Sequence, residues 1–226
     1  GFNQLLTALA AGSDVRLAEF RFARSIVDMC AEAGVSSLTA VPPLWRKLLA
    51  VPWPETARAA MNCCATTGGQ VTRELDAGLR DTFPEARQVR MYGFTEAFRG
   101  AVLPELVSQE APRGAIRTQI PGKKLLVMND AGEVCPPGTV GELVQTGPLV
   151  TQGYWGAPAA TAAAFPTIER NGWAMPAARS GDLGYQAADG SFVLVGRRDE
   201  QIKTSGYRVS PSEIEDVARE SGLVGE

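Results

Sequence analysis

The chain has 226 residues, 45% of them hydrophobic and 21% charged, with a formal net charge of −3. That composition supports a packed core in one domain or two small ones and gives no basic field for nucleic acid or an anionic membrane. There is no histidine, the four cysteines show no Cys-x-x-Cys spacing, and no apolar run approaches the roughly 20 residues that span a bilayer, so the usual zinc sites and histidine-based triads are nearly excluded.

In chain order, Phe2, Leu5, Leu6 and Leu9 recur at helical spacing and Gly12 closes that helix. Phe22, Ile26, Met29 and Ala33 repeat the period and end at Gly34. Ser37–Val41 reads as a buried strand, and Pro42-Pro43 opens a helix through Leu49, with Trp45 expected in the core. Met61–Thr66 is a second strand, followed by Gly68-Gly69, a helix around Thr72–Asp81, and a strand at Arg87–Met91. Such alternation predicts a parallel sheet with helices packed on it. After about residue 100 the texture changes. Strands at Lys124–Met128, Val140–Thr146 and Phe192–Val195, separated by Asp130-Ala-Gly, Pro136-Pro-Gly and Asp189-Gly turns, predict an antiparallel sheet or distorted barrel. Ala159–Phe165 is an alanine-rich helix expected simply to pack. Ser210-Pro211-Ser212-Glu213 is a capping box that opens a last helix bearing Ile214 and Val217. Cys30, Cys63, Cys64 and Cys135 are expected to be buried free thiols, as in a reducing cytoplasm.

The chemistry concentrates near the end. Leu183–Gln186 can pair with Ser191–Val195 as a hairpin, which leaves Asp182 at one strand's start and Arg197 just past the other's end. A carboxylate accepts hydroxyl hydrogen bonds and a guanidinium donates several, so the pair suits a vicinal diol such as ribose. Spacing alone leaves open a plain surface ion pair at a sheet edge.

The run Ser180-Gly-Asp-Leu-Gly184 and the longer run from Gly196-Arg-Arg-Asp through Ile202-Lys, Gly206-Tyr-Arg-Val and Glu213-Ile-Glu215 closely resemble the AMP-forming adenylating superfamily. That superfamily includes acyl-CoA ligases, peptide-synthetase adenylation domains and luciferases. Tyr92-Gly93-Phe94-Thr95-Glu96 matches its Tyr-Gly-x-Thr-Glu pattern, and Thr67-Gly68-Gly69-Gln70 falls, in order, where it lines the adenine. The resemblance implies ribose contacts for Asp182 and Arg197, and adenine-side contacts for Gly68, Gly69 and Gln70. It further implies a purine-facing ring at Tyr92, close approach at Gly93, a phosphate contact at Thr95 and a Mg²⁺ ligand at Glu96. Arg208 would lie on the phosphate side, Asp199 at the hinge, and Lys203 is a weaker correspondence. Gly141-Glu142-Leu143 and Gly153-Tyr154-Trp155 match a further family segment, in which their role is taken as structural.

The fold class so implied is α/β. A parallel sheet with flanking helices (1–100) and an antiparallel sheet or distorted barrel (101–199) form the late portion of a large domain, and 200–226 begin a small α+β lid. The implied activity is ATP-dependent activation of a small carboxylic acid to an acyl-adenylate, then transfer to coenzyme A, with Mg²⁺ as cofactor. The alternatives are loading of a carrier protein, or a non-catalytic nucleotide-binding module derived from the fold. The family's phosphate loop and its late lysine are not present, so the chain is expected to be a fragment that does not adenylate an acid by itself.

Overall fold

The computed structural model describes residues 2–19, 21–69, 71–103, 115–116, 118–119, 121–170, 173–200, 202–204, 207–209 and 211–221. The chain divides into two compact units, Gly1–Arg90 and Met91–Glu226.

The first unit runs α1 (Phe2–Ala10), α2 (Ala23–Ala33), β1 (Ser37–Ala40), α3 (Pro42–Leu49), α4 (Glu55–Ala60), β2 (Cys63–Thr66), α5 (Arg73–Thr82) and the start of β3 (Arg87–Phe94). β1 pairs β2 in parallel, and β2 pairs β3 in parallel from Cys63↔Arg87 to Thr66↔Arg90. Pro42 and Pro43 occupy the first turn of α3, where their missing N–H groups would be unpaired anyway. Thr72 caps α5, its Oγ1 accepting from the Leu75 amide at 3.3 Å. α3 and α5 meet over a core in which Trp45 is fully buried, donates to the Ala65 carbonyl at 3.0 Å and packs edge-on against Phe83. Truncating such a side chain costs about 3–5 kcal/mol. α2 turns Ile26, Val27 and Cys30 into this core, whereas Phe22 lies before the helix at 72% exposure. The apolar period starting from Phe22 is therefore rotated from the face actually buried. α4, too short to show a period, gave no sequence signal.

The second unit continues with the end of β3, then β4 (Ala97–Leu103), β5 (Ala115–Ile116), β6 (Thr118–Gln119), β7 (Lys124–Met128), β8 (Gly141–Thr146), α6 (Pro158–Ala164), β9 (Thr167–Arg170), β10 (Trp173–Gln186), β11 (Phe192–Arg197), β12 (Ile202–Thr204), β13 (Tyr207–Val209) and α7 (Pro211–Glu220). Its main sheet has the order β5-β11-β10-β8-β7, with β9 added to β10. The β7–β8, β8–β10 and β10–β11 pairs are all antiparallel. Both faces of this sheet are covered, because Leu125, Val127 and Leu143 join one cluster while Leu126, Met128 and Val144 join another. That explains why all of β8 is buried despite its polar residues. Lys123 is buried as well; its ammonium donates to the Phe98 and Arg99 carbonyls at 2.6 and 2.5 Å, so its charge is not left without acceptors.

The α/β class with a parallel sheet followed by an antiparallel one matches the sequence expectation. β4, β9 and the first half of β10 had no counterpart in it. Among the described residues no helix is long and apolar enough to cross a membrane, and all four cysteines are free, with Cys63 only part-buried.

Candidate functional site

The site is built by two irregularities in the ladders of β10, one against each neighbouring strand. Against β8, β10 advances four residues from Arg179 to Leu183 while β8 moves two, from Val144 to Glu142. Against β11, the register shifts again between Leu183 and Gly184, after Asp182 has paired with Arg197. Ser180, Gly181 and Asp182 are thus pushed out of the ladder with β8, a usual consequence of a bulge. Local side chains replace the lost ladder bonds. Ser180 Oγ donates to the Leu143 carbonyl at 2.7 Å and accepts from the Asp182 amide at 3.0 Å. The Gly181 amide donates to Glu142 Oε1 at 3.1 Å.

Asp182 emerges at the end of this bulge with both carboxylate oxygens engaged. Arg197 Nη1 donates to Oδ1 at 3.2 Å, and the Tyr92 hydroxyl donates to Oδ2 at 2.7 Å. Arg197 Nη1 also donates to the Ser180 carbonyl at 2.7 Å, which ties the guanidinium to the bulge. Its other edge reaches the exposed Asp199, Nε to Oδ1 at 3.0 Å and Nη2 to Oδ2 at 3.3 Å. Asp199 therefore sits below the ordinary carboxylate range, chiefly through that hydrogen bond, and Arg197 above the ordinary arginine range for the same reason. Burial, then the Asp182 charge, raises the Tyr92 phenol, so it remains a hydrogen-bond donor at neutral pH. Gly181 has φ +74°, and a Cβ there would lie 2.8 Å from Arg197 Nη2. Only glycine meets both demands without displacement.

A second set lies where β3 turns into β4. Thr95 and Glu96 form the turn between the strands, Thr95 exposed and Glu96 part-buried. The Glu96 carboxylate accepts a short hydrogen bond from the Tyr154 hydroxyl. The Glu96 carbonyl accepts from the Thr151 amide at 2.9 Å. The bond to the Glu96 carboxylate raises the Tyr154 phenol above the ordinary tyrosine range. Tyr154 is oriented in turn by an edge-on contact with Phe165 and by its amide bond to Thr161 Oγ1 at 2.9 Å. Gly93 is exposed between Tyr92 and Phe94, whose rings lie 6.2 Å apart on one side of β3.

The structure thus brings together Tyr92, Asp182, Arg197 and Asp199 in the second unit, and places Thr95 and Glu96 together on one turn. Gly68 and Gly69 lie in the first unit beside α3, where a Cβ on Gly69 would stand 3.2 Å from the Pro42 ring. Gln70 lies outside the described residues. Arg208 is paired in register with Lys203 in the β12–β13 hairpin, and the side chains of both lie outside the described residues. Sequence reasoning missed three supporting contacts: Tyr92 to Asp182, Tyr154 to Glu96, and Glu142 to Gly181. Tyr154 and Glu142 stood in matched family segments, but nothing local reveals partners 58 or 39 residues away.

The chain is 33% identical over 188 residues to the 4-coumarate–CoA ligase-like protein 6 of Oryza sativa subsp. japonica, covering 81% of this chain and 30% of the relative. It is 37% identical over 154 residues to the D-alanine–D-alanyl carrier protein ligase of Lactiplantibacillus plantarum, covering 66% and 29%. The chain therefore spans about a third of the length of these curated relatives. The O-succinylbenzoate coenzyme A synthetase of Bacillus subtilis, solved with AMP, shares the fold at a TM-score of 0.82 and 24% identity, covering 100% of this chain and 44% of that one. The same enzyme with ATP and a magnesium ion also superposes at 0.82. Residues 1–155 match the family described as AMP-binding enzyme, and the chain belongs to that family of adenylate-forming enzymes.

Proposed function

We propose that the chain is the nucleotide-gripping part of an ATP-dependent ligase, one that activates a small carboxylic acid as an acyl-adenylate and transfers the acyl group to coenzyme A. The observation that carries this reading is the Asp182–Arg197 pair, locked at matching register and fixed by Tyr92. A carboxylate has about four lone-pair sites, so Asp182 can still accept two ribose hydroxyls beside its present donors. Tyr92 and Gly93 offer a face for the purine; Gly68, Gly69 and Gln70 are assigned to adenine contacts by their place in the family motif alone. Thr95 is assigned to a phosphate oxygen and Arg208 to the phosphate side. Asp199 is the hinge between the large domain (1–199) and a lid that begins at residue 200.

For a divalent cation, the donor set is one carboxylate, Glu96, beside one hydroxyl, Thr95; among the described residues no cluster of three acidic, cysteine or histidine side chains exists. That poverty fits Mg²⁺, which is usually held by one or two carboxylates together with substrate phosphates. Bound there, the ion would offset phosphate charge as pyrophosphate departs. Glu96 would hold it, and Tyr154 would hold Glu96. Transfer to a carrier protein is the second reading, favoured by the 37% identity to a carrier protein ligase. The four free cysteines fit a cytoplasmic protein. The 226-residue chain alone is expected to be inactive, since Thr95 and Glu96 cannot balance a triphosphate unaided.

The test is pyrophosphate release by the complete protein with ATP, Mg²⁺ and a panel of fatty, aryl and short-chain acids, alongside AMP binding by calorimetry. Asp182→Ala removes the acceptor for hydroxyls that then stay unpaired, at about 1–3 kcal/mol, so AMP should bind roughly 10–100-fold more weakly. Unchanged AMP binding, or no pyrophosphate with any acid, would overturn the reading.

A further inference from the structure

We infer that Glu142 is the positioning residue of the ribose grip: it never touches nucleotide, but holds the bulge that presents Asp182. The inference rests on the reading that Asp182 binds ribose. Glu142 sits on β8 with its side chain only 6% exposed. Its Oε1 accepts the Gly181 amide at 3.1 Å, and its Oε2 accepts Arg179 Nη1 at 2.7 Å and Arg198 Nη1 at 3.3 Å. These donors flank the displaced residues on both sides. Arg179 is the last β10 residue in register before the bulge, and Gly181 is its middle. Arg198 follows the ribose-side Arg197, and its amide donates to the Gly181 carbonyl at 2.7 Å.

The geometry is one of replacement. A bulge of this size deprives backbone groups of their strand partners, and buried amides must be paired elsewhere. One carboxylate supplies that acceptor for Gly181, and two guanidiniums pair with its other oxygen inside the sheet. Arg198 extends the network outward, Nη2 to Asp130 Oδ1 at 2.7 Å, and so fixes the residue before the proposed hinge. Without the carboxylate, the Gly181 amide is orphaned, two cations face each other, and the bulge relaxes. Asp182 and Arg197 then lose their fixed separation while keeping their own chemistry. The effect therefore falls on the part of the affinity that depends on ribose hydroxyls.

That part is measured directly by comparing AMP with 2′,3′-dideoxy-AMP, by calorimetry, on the complete protein. In the wild type AMP should bind about 10–100-fold more tightly than the dideoxy analogue, which offers Asp182 no hydroxyl. In Glu142→Gln, whose single acceptor oxygen can serve either the Gly181 amide or the two arginines but not both, this ratio should fall to about threefold or less, with dideoxy-AMP affinity changed by less than about twofold, since supporting residues act on what they orient. Should that variant not fold, Glu142→Asp keeps the charge and the arginine partners but withdraws the acceptor from the Gly181 amide; the same fall in ratio is expected. A wild-type ratio near one overturns the ribose reading and this inference with it. A ratio of ten or more that survives in the folded Gln or Asp variant overturns the inference alone. Equal weakening of both nucleotides also overturns it, because that is the mark of general structural damage.

Discussion

Gly181→Ala tests the geometry of the bulge most sharply, and Gly190→Ala is its control. Both glycines have positive φ, +74° and +82°, and both lie in the second unit. An L-residue pays about 1–2 kcal/mol for that conformation at either position. At Gly190 a Cβ meets nothing within 4 Å, so the conformational cost stands alone. At Gly181 the Cβ would lie 2.8 Å from Arg197 Nη2 and 3.1 Å from its Cζ and Nη1, so the guanidinium must move. Moving it weakens the bonds to the Ser180 carbonyl and to Asp182. Hydrogen bonds to charged groups contribute about 1.5–3 kcal/mol each. Arg197 is 41% exposed, however, so water compensates much of that loss and about 1–2 kcal/mol in total is the better figure. Gly181→Ala should therefore destabilise by about 2–4 kcal/mol and Gly190→Ala by about 1–2 kcal/mol. Equilibrium urea unfolding of the two variants measures both. In an Arg197→Ala background the excess at position 181 should vanish. Equal effects at the two glycines, or an excess that persists without Arg197, would refute the steric account.

Gln145 is fully buried, and neither side-chain amide atom has a hydrogen-bond partner among the described residues. Gln145→Leu should accordingly raise stability by about 1–2 kcal/mol, and a lowered urea midpoint would show that the amide is paired after all. Burial, helped by the adjacent Cys63, pushes the Cys64 thiol up to about 12. The unfolded thiol ionises at about 8.5, so its contribution is complete below that pH and is lost as pH rises toward 12, at up to about 1.4 kcal/mol per unit. Unfolding midpoints between about pH 8 and 11 should fall more steeply for the wild type than for Cys64→Ala; identical slopes would count against a buried, protonated thiol.

Sequence alone determined the features that depend on near neighbours. Pro42-Pro43 set the start of α3, Thr72 capped α5, and Asp189-Gly190 turned β10 into β11, so the nearness of Asp182 and Arg197 at the far end of that hairpin is legible in the spacing, while their exact pairing depends on the register shift between Leu183 and Gly184. The ordered motifs likewise placed Tyr92, Thr95 and Glu96 in a family, because a motif records chemistry that acts through adjacent residues. What required tertiary structure was everything reached by sheet pairing. Tyr92 meets Asp182 across 90 residues, Tyr154 meets Glu96 across 58, and Glu142 meets Gly181 across 39. The last of these exists only because β10 carries two residues more than β8 at the bulge. Register along a strand has a period of two, and no local pattern announces where extra residues will be inserted or which long-range acceptor will take the amides they free. That assignment is made by the packed sheet, where a part-buried N–H needs a partner and Glu142 is the carboxylate within reach.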